Sequence, residues 1–110
     1  MSVPQGNCFS FTVSFTVPHH DPQTFMASAF VEMPSGRIIT LVESRELTVG
    51  AHSTLSLEPR LCVPRRAPLG DYVLTVEARD AGGTLLDSDT ITVTVETGTG
   101  PVENWDLRNF

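Results

Sequence analysis

The sequence predicts an all-β chain folded as a two-sheet antiparallel sandwich of about seven strands. Apolar and polar residues alternate along several short segments, and turns rich in glycine and proline separate those segments. At 110 residues the chain has an ordinary size for one domain, and no segment has the apolar spacing of a long helix. We therefore expect a single core between two sheets.

The first half of the chain supplies five of the expected strands. These strands lie at residues 8–17, 24–33, 37–43, 47–49 and 53–63. The third segment is rich in β-branched residues on both of its faces, which predicts a central strand covered on more than one side. Pro59 interrupts the alternation of the fifth segment. Because proline cannot donate to a ladder, it predicts an edge position, a bulge or a sheet switch.

The second half supplies two strands, at residues 72–79 and 85–96, joined by a glycine-containing hairpin turn. Residues 97–101 then change to threonine, glycine and proline, a composition typical of a linker. The sequence thus predicts a β-sandwich over residues 1–96, followed by a linker and short tail over residues 97–110.

Two stretches resemble a known class of domain. Residues 47–55 read Leu-Thr-Val-Gly-Ala-His-Ser-Thr-Leu, and residues 68–76 read Pro-Leu-Gly-Asp-Tyr-Val-Leu-Thr-Val. Together they resemble bacterial and archaeal immunoglobulin-like, or fibronectin-like, accessory domains over roughly residues 8–96. The resemblance implies a structural role for Tyr72, with Gly70 and Pro68 in the loop to which its hydroxyl bonds back. Leu74 stands where antibody domains have their second cysteine, so an antibody-type domain is not expected.

Charge and composition argue against several function classes. The formal net charge is −6, lysine is absent, and only Arg65 and Arg66 are adjacent among seven arginines. A nucleic-acid partner is therefore not expected, since phosphates are neutralised by clustered basic residues. Without lysine or a nucleophile-elbow motif, the sequence also predicts no enzyme activity and no cofactor. No apolar run is long enough to predict membrane insertion.

Candidate metal ligands are few. His19, His20 and Asp21 are adjacent and His52 stands apart, which is more typical of solvated turns than of a metal site. The aspartates near the last hairpin are expected to serve turns rather than calcium; they are Asp71, Asp80, Asp87 and Asp89. We expect no metal.

The two cysteines are expected to be free thiols. In a simple sandwich order the first and fifth strands run the same way, which would place Cys8 and Cys62 at opposite ends of the fold. Bridged Cα atoms must lie within about 7 Å of each other. Each cysteine is also out of phase with the apolar face of its strand.

Five apolar residues are candidates for an interface. Met26 and Phe30 fall on the outward face of the second strand. The otherwise polar tail contains three apolar residues, Trp105, Leu107 and Phe110. Their spacing is typical of an extended peptide that binds along a surface. We expect the tail to dock over Met26 and Phe30, or on a neighbouring copy in a homodimer.

The function predicted from these features is a protein-binding or spacer module, presented to a protein partner or a neighbouring domain. One alternative is carbohydrate binding, for which the chain has few aromatic residues to stack on sugars. Another is an inhibitor that presents the loop at residues 64–71 or 19–22. An extracellular or cell-surface setting, within a larger exported protein, would suit this class of domain.

Overall fold

The computed structural model describes residues 1–16, 23–50 and 53–109. In this part of the chain every regular element is a β-strand, which confirms the all-β prediction. No helix that could span a membrane is found among these residues. The strands are β1 (Ser2–Pro4), β2 (Cys8–Ser10), β3 (Val13–Thr16), β4 (Gln23–Glu32), β5 (Ile38–Val49), β6 (Thr54–Leu57), β7 (Arg60–Cys62), β8 (Gly70–Arg79), β9 (Leu85–Glu96) and β10 (Asp106–Arg108).

The largest sheet has five strands in the order β1-β9-β8-β4-β5. All of its pairs are antiparallel except β1 with β9, which is parallel. Alternate residues of β4 and β8 are buried, as their sequence alternation predicts, whereas in β9 only Val93 and Val95 are buried and residues 85–90 are exposed. For example, Ala29 of β4 lies opposite Val76 of β8, and both are almost fully buried.

Two smaller antiparallel sheets complete the described structure. One has three strands in the order β10-β7-β2, and the other pairs β3 with β6. Pro59 lies at the change from β6 to β7, so the chain switches sheets there, one of the three outcomes that a proline in this strand predicts. The carbonyl of Pro59 accepts a hydrogen bond from the amide of Phe11, 3.1 Å away, at the point where the paired segment passes from β2 to β3 and also changes sheet.

The inner faces of the three sheets share one hydrophobic core. The buried core residues are Val3, Phe11, Val13, Phe25, Ala27, Ala29, Val31, Val49, Leu61, Val63, Ala67, Tyr72, Leu74, Val76, Ala78, Val93, Val95 and Leu107. Among the described residues no polar or charged side chain other than that of Tyr72 is buried in it. The single core therefore draws on both ends of the chain, from Val3 to Leu107.

The third predicted strand is not central. It belongs to β5, which is an edge of the five-stranded sheet and continues to Val49 through the segment expected as a fourth strand. Ile38 is 58% exposed. The register with β4 shifts twice between Ala27 and Phe30, and these bulges leave the consecutive residues Leu41 and Val42 both half-buried. The two-sided apolar pattern therefore reflects a bulged edge strand rather than a covered one.

The strand count also differs from about seven. The first and fifth predicted strands each divide in two, as β2 with β3 and β6 with β7. Two three-residue strands that sequence alternation did not predict, β1 and β10, lie near the ends of the chain. Strands this short carry too few residues for a periodic pattern, and their positions depend on pairing with distant segments.

Candidate functional site

Tyr72 joins a loop to the core. It is fully buried, and its hydroxyl donates a hydrogen bond to the carbonyl oxygen of Pro68, 2.7 Å away. This is the bond to the preceding loop that the resemblance implies. Gly70 has a φ of 131°, which favours glycine at the turn between the two residues. Burial raises the pKa of the Tyr72 hydroxyl above its ordinary value.

The loop at residues 64–69 is fixed by further hydrogen bonds. The side-chain amide of Gln5 donates to the carbonyl of Ala67 at 2.6 Å. The backbone amide of Arg65 donates to the carbonyl of Val102 at 2.8 Å. The loop is thus hydrogen-bonded to segments near both ends of the chain. These bonds hold the backbone of Arg65 and Arg66 in place, while their side chains are exposed.

The tail docks on its own domain, but not over Met26 and Phe30. Strand β10 pairs with β7, placing Leu107 opposite Leu61, and Leu107 is only 8% exposed. The Trp105 ring lies 5.3 Å from the Tyr72 ring. The expected cover over Met26 and Phe30 is therefore wrong, because Leu107 continues the inner face of the three-stranded sheet instead. Phe110 lies outside the described residues.

Met26 and Phe30 lie on the outer face of the five-stranded sheet, where both are half-buried. Phe30 pairs with Thr40 on one side and Thr75 on the other, so Ile38 and Val73 are its diagonal neighbours on the same face. Ile38 and Val73 are 58% and 37% exposed. We call Phe30, Ile38 and Val73 the Phe30 patch.

The expectation of two free cysteines is wrong. Cys8 and Cys62 form a disulfide, with their Cα atoms 4.1 Å apart. The strand segments that carry them, β2 and β7, pair antiparallel, and the register sets the two cysteines directly opposite each other. Successive side chains of a strand point to opposite faces, and Leu61, next to Cys62, points into the core. Cys62 and its register partner Cys8 therefore lie on the outer side of the three-stranded sheet.

A groove of about 520 Å³ runs along this outer side. The register sets Arg60 of β7 between Ser10 of β2 and Arg108 of β10. The groove is lined by Cys8, Arg60, Cys62, Val102, Asn104, Trp105, Asp106 and Arg108. A second groove of about 230 Å³ is lined by Arg65, Arg66, Glu103 and Asn104. Since Asn104 lines both, the two grooves adjoin.

We call this joint site the arginine groove: Arg60, Arg65, Arg66 and Arg108 around Asn104 and Trp105. It gathers four of the seven arginines of the chain. Arg65 forms an exposed ion pair with Glu103 at 3.3 Å, and Arg108 pairs with Asp106. Within the part of the chain that the structure describes, Arg60 and Arg66 have no ion-pair partner. Sequence reasoning missed this site because its arginines are scattered from position 60 to position 108.

The aspartates considered as calcium ligands accept hydrogen bonds from backbone amides and from a neighbouring hydroxyl group. Asp80 accepts hydrogen bonds from the amides of Gly82 and Thr84, each at 2.9 Å. Asp71 accepts one from the Thr94 hydroxyl at 2.7 Å. Among the described residues no three His, Cys, Asp or Glu side chains converge on a metal position. His52 and the loop at residues 19–22 lie outside the described residues.

No protein-family model and no curated protein sequence matches the chain. A solved structure of the Pseudomonas fluorescens alkylpurine DNA glycosylase AlkC, bound to DNA containing an abasic site analog, is similar with a TM-score of 0.60. The two are 14% identical, and the similarity covers 84% of this chain and 27% of that chain. The chain thus spans about a quarter of the length of the glycosylase. At this identity the likeness concerns the fold alone.

The likeness contradicts two expectations drawn from the sequence. The chain was expected not to be an enzyme and to have no nucleic-acid partner, whereas the protein that it resembles is an enzyme bound to DNA. Net charge and a lack of lysine describe the chain as a whole. They say nothing about a local cluster of arginines, so they do not exclude a nucleic-acid partner, and the absence of one catalytic motif does not exclude an enzyme.

Proposed function

We propose that the chain is an immunoglobulin-like β-sandwich module that binds a protein partner or a neighbouring domain through the Phe30 patch. The bond from Tyr72 to the loop before it supports the immunoglobulin-like class, in which a tyrosine at this place is common. The likeness to one quarter of a longer chain supports use of this fold as one part of a larger protein.

The observation that carries the proposal is the exposure of neighbouring apolar side chains on the outer face of the five-stranded sheet. The outer face of an antiparallel sheet is ordinarily polar. Here Ile38 and Val73 are exposed diagonally on either side of Phe30. Diagonal neighbours lie within reach of a large side chain such as that of Phe30, and exposed apolar patches mark interaction sites.

The surroundings of the Phe30 patch suit a protein interface. Thr40 and Thr75 flank Phe30, and Glu32 stands between Ile38 and Val73. Protein interfaces contain polar side chains beside apolar ones, and a partner here would have to pair the Glu32 carboxylate. Sugar binding would instead need exposed aromatic rings. Tyr72 is fully buried and Trp105 is only partly exposed, so the chain offers few rings on which a sugar could stack.

The test is site-specific photo-crosslinking in cells of the source organism. A photoreactive residue at Thr40, beside the patch, should crosslink to one protein, whereas the same residue at Ser56 of β6 should not. The double variant Ile38→Glu with Val73→Glu should weaken the purified complex at least about tenfold, since charge at the centre of an interface is costly. The matched control is Thr54→Glu with Ser56→Glu, at exposed positions of the two-stranded sheet.

Two results would contradict the proposed function. One is equal crosslinking from Thr40 and Ser56, which would mean that the Phe30 patch is not a preferred surface. The other is retention of full affinity by the double variant at Ile38 and Val73. Binding to a glycan array without any protein partner would favour the carbohydrate alternative instead.

A further inference from the structure

We propose that the arginine groove binds single-stranded nucleic acid, with its arginines on the phosphates and Trp105 against a base. The groove lies on the outer side of the three-stranded sheet, away from the Phe30 patch on the five-stranded sheet. This second site therefore goes beyond the proposed protein-binding function and does not depend on it.

The charge of the groove differs in sign from that of the whole chain. The chain carries a net charge of −6, yet four arginines and only two carboxylates, Glu103 and Asp106, line the groove. Arg60 stands directly opposite Arg108 in the strand register, an arrangement that is unfavourable for like charges unless an anion bridges them. Asp106 offsets Arg108 alone, which leaves Arg60 available to an anionic ligand.

The cations of the groove are all arginines. Arginine presents a planar fork of N–H donors that matches the paired oxygens of a phosphate. Arg60 with Arg108 and Arg65 with Arg66 form two such groups on either side of Asn104, which lines both grooves. The ion pair of Arg65 with Glu103 is exposed on both sides, so a phosphate can replace Glu103 at little cost.

An aromatic ring lies beside the arginines of the larger groove. Trp105 lines the larger groove, is half-buried, and is supported by the Tyr72 ring 5.3 Å away. A supported, partly exposed aromatic ring beside arginines is the usual arrangement for stacking the bases of a single strand. Stacking favours a single strand over a duplex, whose bases are stacked on each other. It also favours nucleic acid over an acidic peptide, whose carboxylates gain nothing from the ring.

A disulfide and backbone hydrogen bonds constrain the backbone that carries the arginines. Arg60 and Arg108 stand on a β-ladder that the disulfide between Cys8 and Cys62 crosslinks. The backbone of Arg65 is bonded to Val102, and its loop is held by Tyr72. A preordered site loses less conformational entropy on binding than a flexible one does.

The test is the fluorescence anisotropy of a labelled single-stranded DNA of about 12 thymidines, a length in the usual range of single-strand sites. The double variant Arg60→Ala with Arg66→Ala removes two exposed arginines that have no ion pair among the described residues. We expect its dissociation constant to rise at least about tenfold at low salt. The control, Arg37→Ala with Arg45→Ala, changes the net charge equally outside the groove, and we expect less than about a twofold rise.

Two further readouts identify the contact. The slope of log K against log salt should become shallower by about 0.7 for each phosphate contact that the groove variant loses. The fluorescence of Trp105, the single tryptophan of the chain, should be quenched by the unlabelled oligonucleotide. The double variant at Ile38 and Val73 should bind DNA normally, which separates this proposal from the proposed function.

Several outcomes would overturn the proposal. They are an absence of binding at low salt, an equal loss in the groove and control variants, and duplex DNA of the same length binding as tightly as the single strand. Competition by an oligoglutamate as strong as by the oligonucleotide, without quenching of Trp105, would assign the groove to an acidic peptide instead.

Discussion

Tyr72 is the only tyrosine of the chain, so its ionisation can be followed by absorbance without interference from another phenol. Burial raises its pKa above the ordinary value of 10.0. A group whose pKa is higher in the folded state adds stability that is fully present below its unfolded pKa and is lost as pH rises through the folded value. We therefore predict that tyrosinate appears at higher pH in the folded protein than in urea, and that unfolding becomes easier above about pH 10.

The variant Tyr72→Phe is the control for this prediction. It removes the hydroxyl that donates to Pro68 and should cost about 1 kcal/mol at neutral pH, since the carbonyl loses its hydrogen bond. The difference in unfolding free energy from the natural protein should shrink above pH 10, because the variant has nothing to ionise at this site. Titration of Tyr72 at the same pH in the folded protein and in urea would contradict the prediction.

Single residues differed in how far their roles could be predicted from sequence. The bond of Tyr72 to the preceding loop is what the resemblance to immunoglobulin-like domains implies, and it joins residues only four positions apart. The bond between Cys8 and Cys62 depends on which strands pair across a separation of 54 residues, and an assumed strand order gave the wrong answer. Local chemistry was readable from sequence, whereas long-range pairing was not.

Among the elements, the three inner strands of the large sheet match the predicted segments closely. Strand β9 spans Leu85–Glu96 as predicted, although only its second half has a buried face, at Val93 and Val95. The edge strand β5 was misassigned, since bulges break the alternation. Those bulges, with Glu43, Arg45 and Glu46 in the same stretch, are the usual means of protecting an exposed edge from pairing.

The segment predicted as a linker is packed against the domain. The amide of Gly100 donates to the carbonyl of Gln5 at 3.2 Å, and that of Val102 to Gly6 at 3.1 Å. A methyl group at Gly100 would collide with the carbonyl of Gly6. We predict that Gly100→Ala lowers the free energy of unfolding by about 1–3 kcal/mol, the usual cost of overpacking. Urea denaturation measures this cost.

The matched control for this prediction is Gly82→Ala in the exposed hairpin turn. There a methyl group would meet Asp80 at 3.4 Å, an ordinary contact. This variant should keep its denaturation midpoint within about 0.5 kcal/mol of the natural protein, as surface substitutions usually do. Equal midpoints for Gly100→Ala and Gly82→Ala would mean that residues 97–102 are a free linker after all.

At the scale of the whole molecule, topology explains why the arginine groove was not predictable. Arg60 and Arg108 are far apart in sequence and become neighbours only because β10 pairs with β7. The loop that carries Arg65 and Arg66 is held beside them by Val102 and Tyr72. The net charge of the whole chain, −6, does not reveal such a local cluster of arginines. Assessing a basic site in an acidic protein therefore requires its strand order as well as its composition.

The disulfide between Cys8 and Cys62 joins the first half of the chain to the strand that organises the groove. Closing a loop of 54 residues restricts the unfolded chain, and the chain-entropy model gives about 4 kcal/mol of stabilisation for that length. We predict that reduction lowers the free energy of unfolding by about 2–5 kcal/mol, the range found for small domains. Denaturation with and without a thiol reductant measures this loss on identical side chains.

Thiol titration in urea should find no reactive cysteine before reduction and both cysteines afterwards. The double variant Cys8→Ser with Cys62→Ser should be as unstable as the reduced protein and should not respond to the reductant. Equal midpoints for the oxidised and reduced natural protein would show that the crosslink does not stabilise the fold.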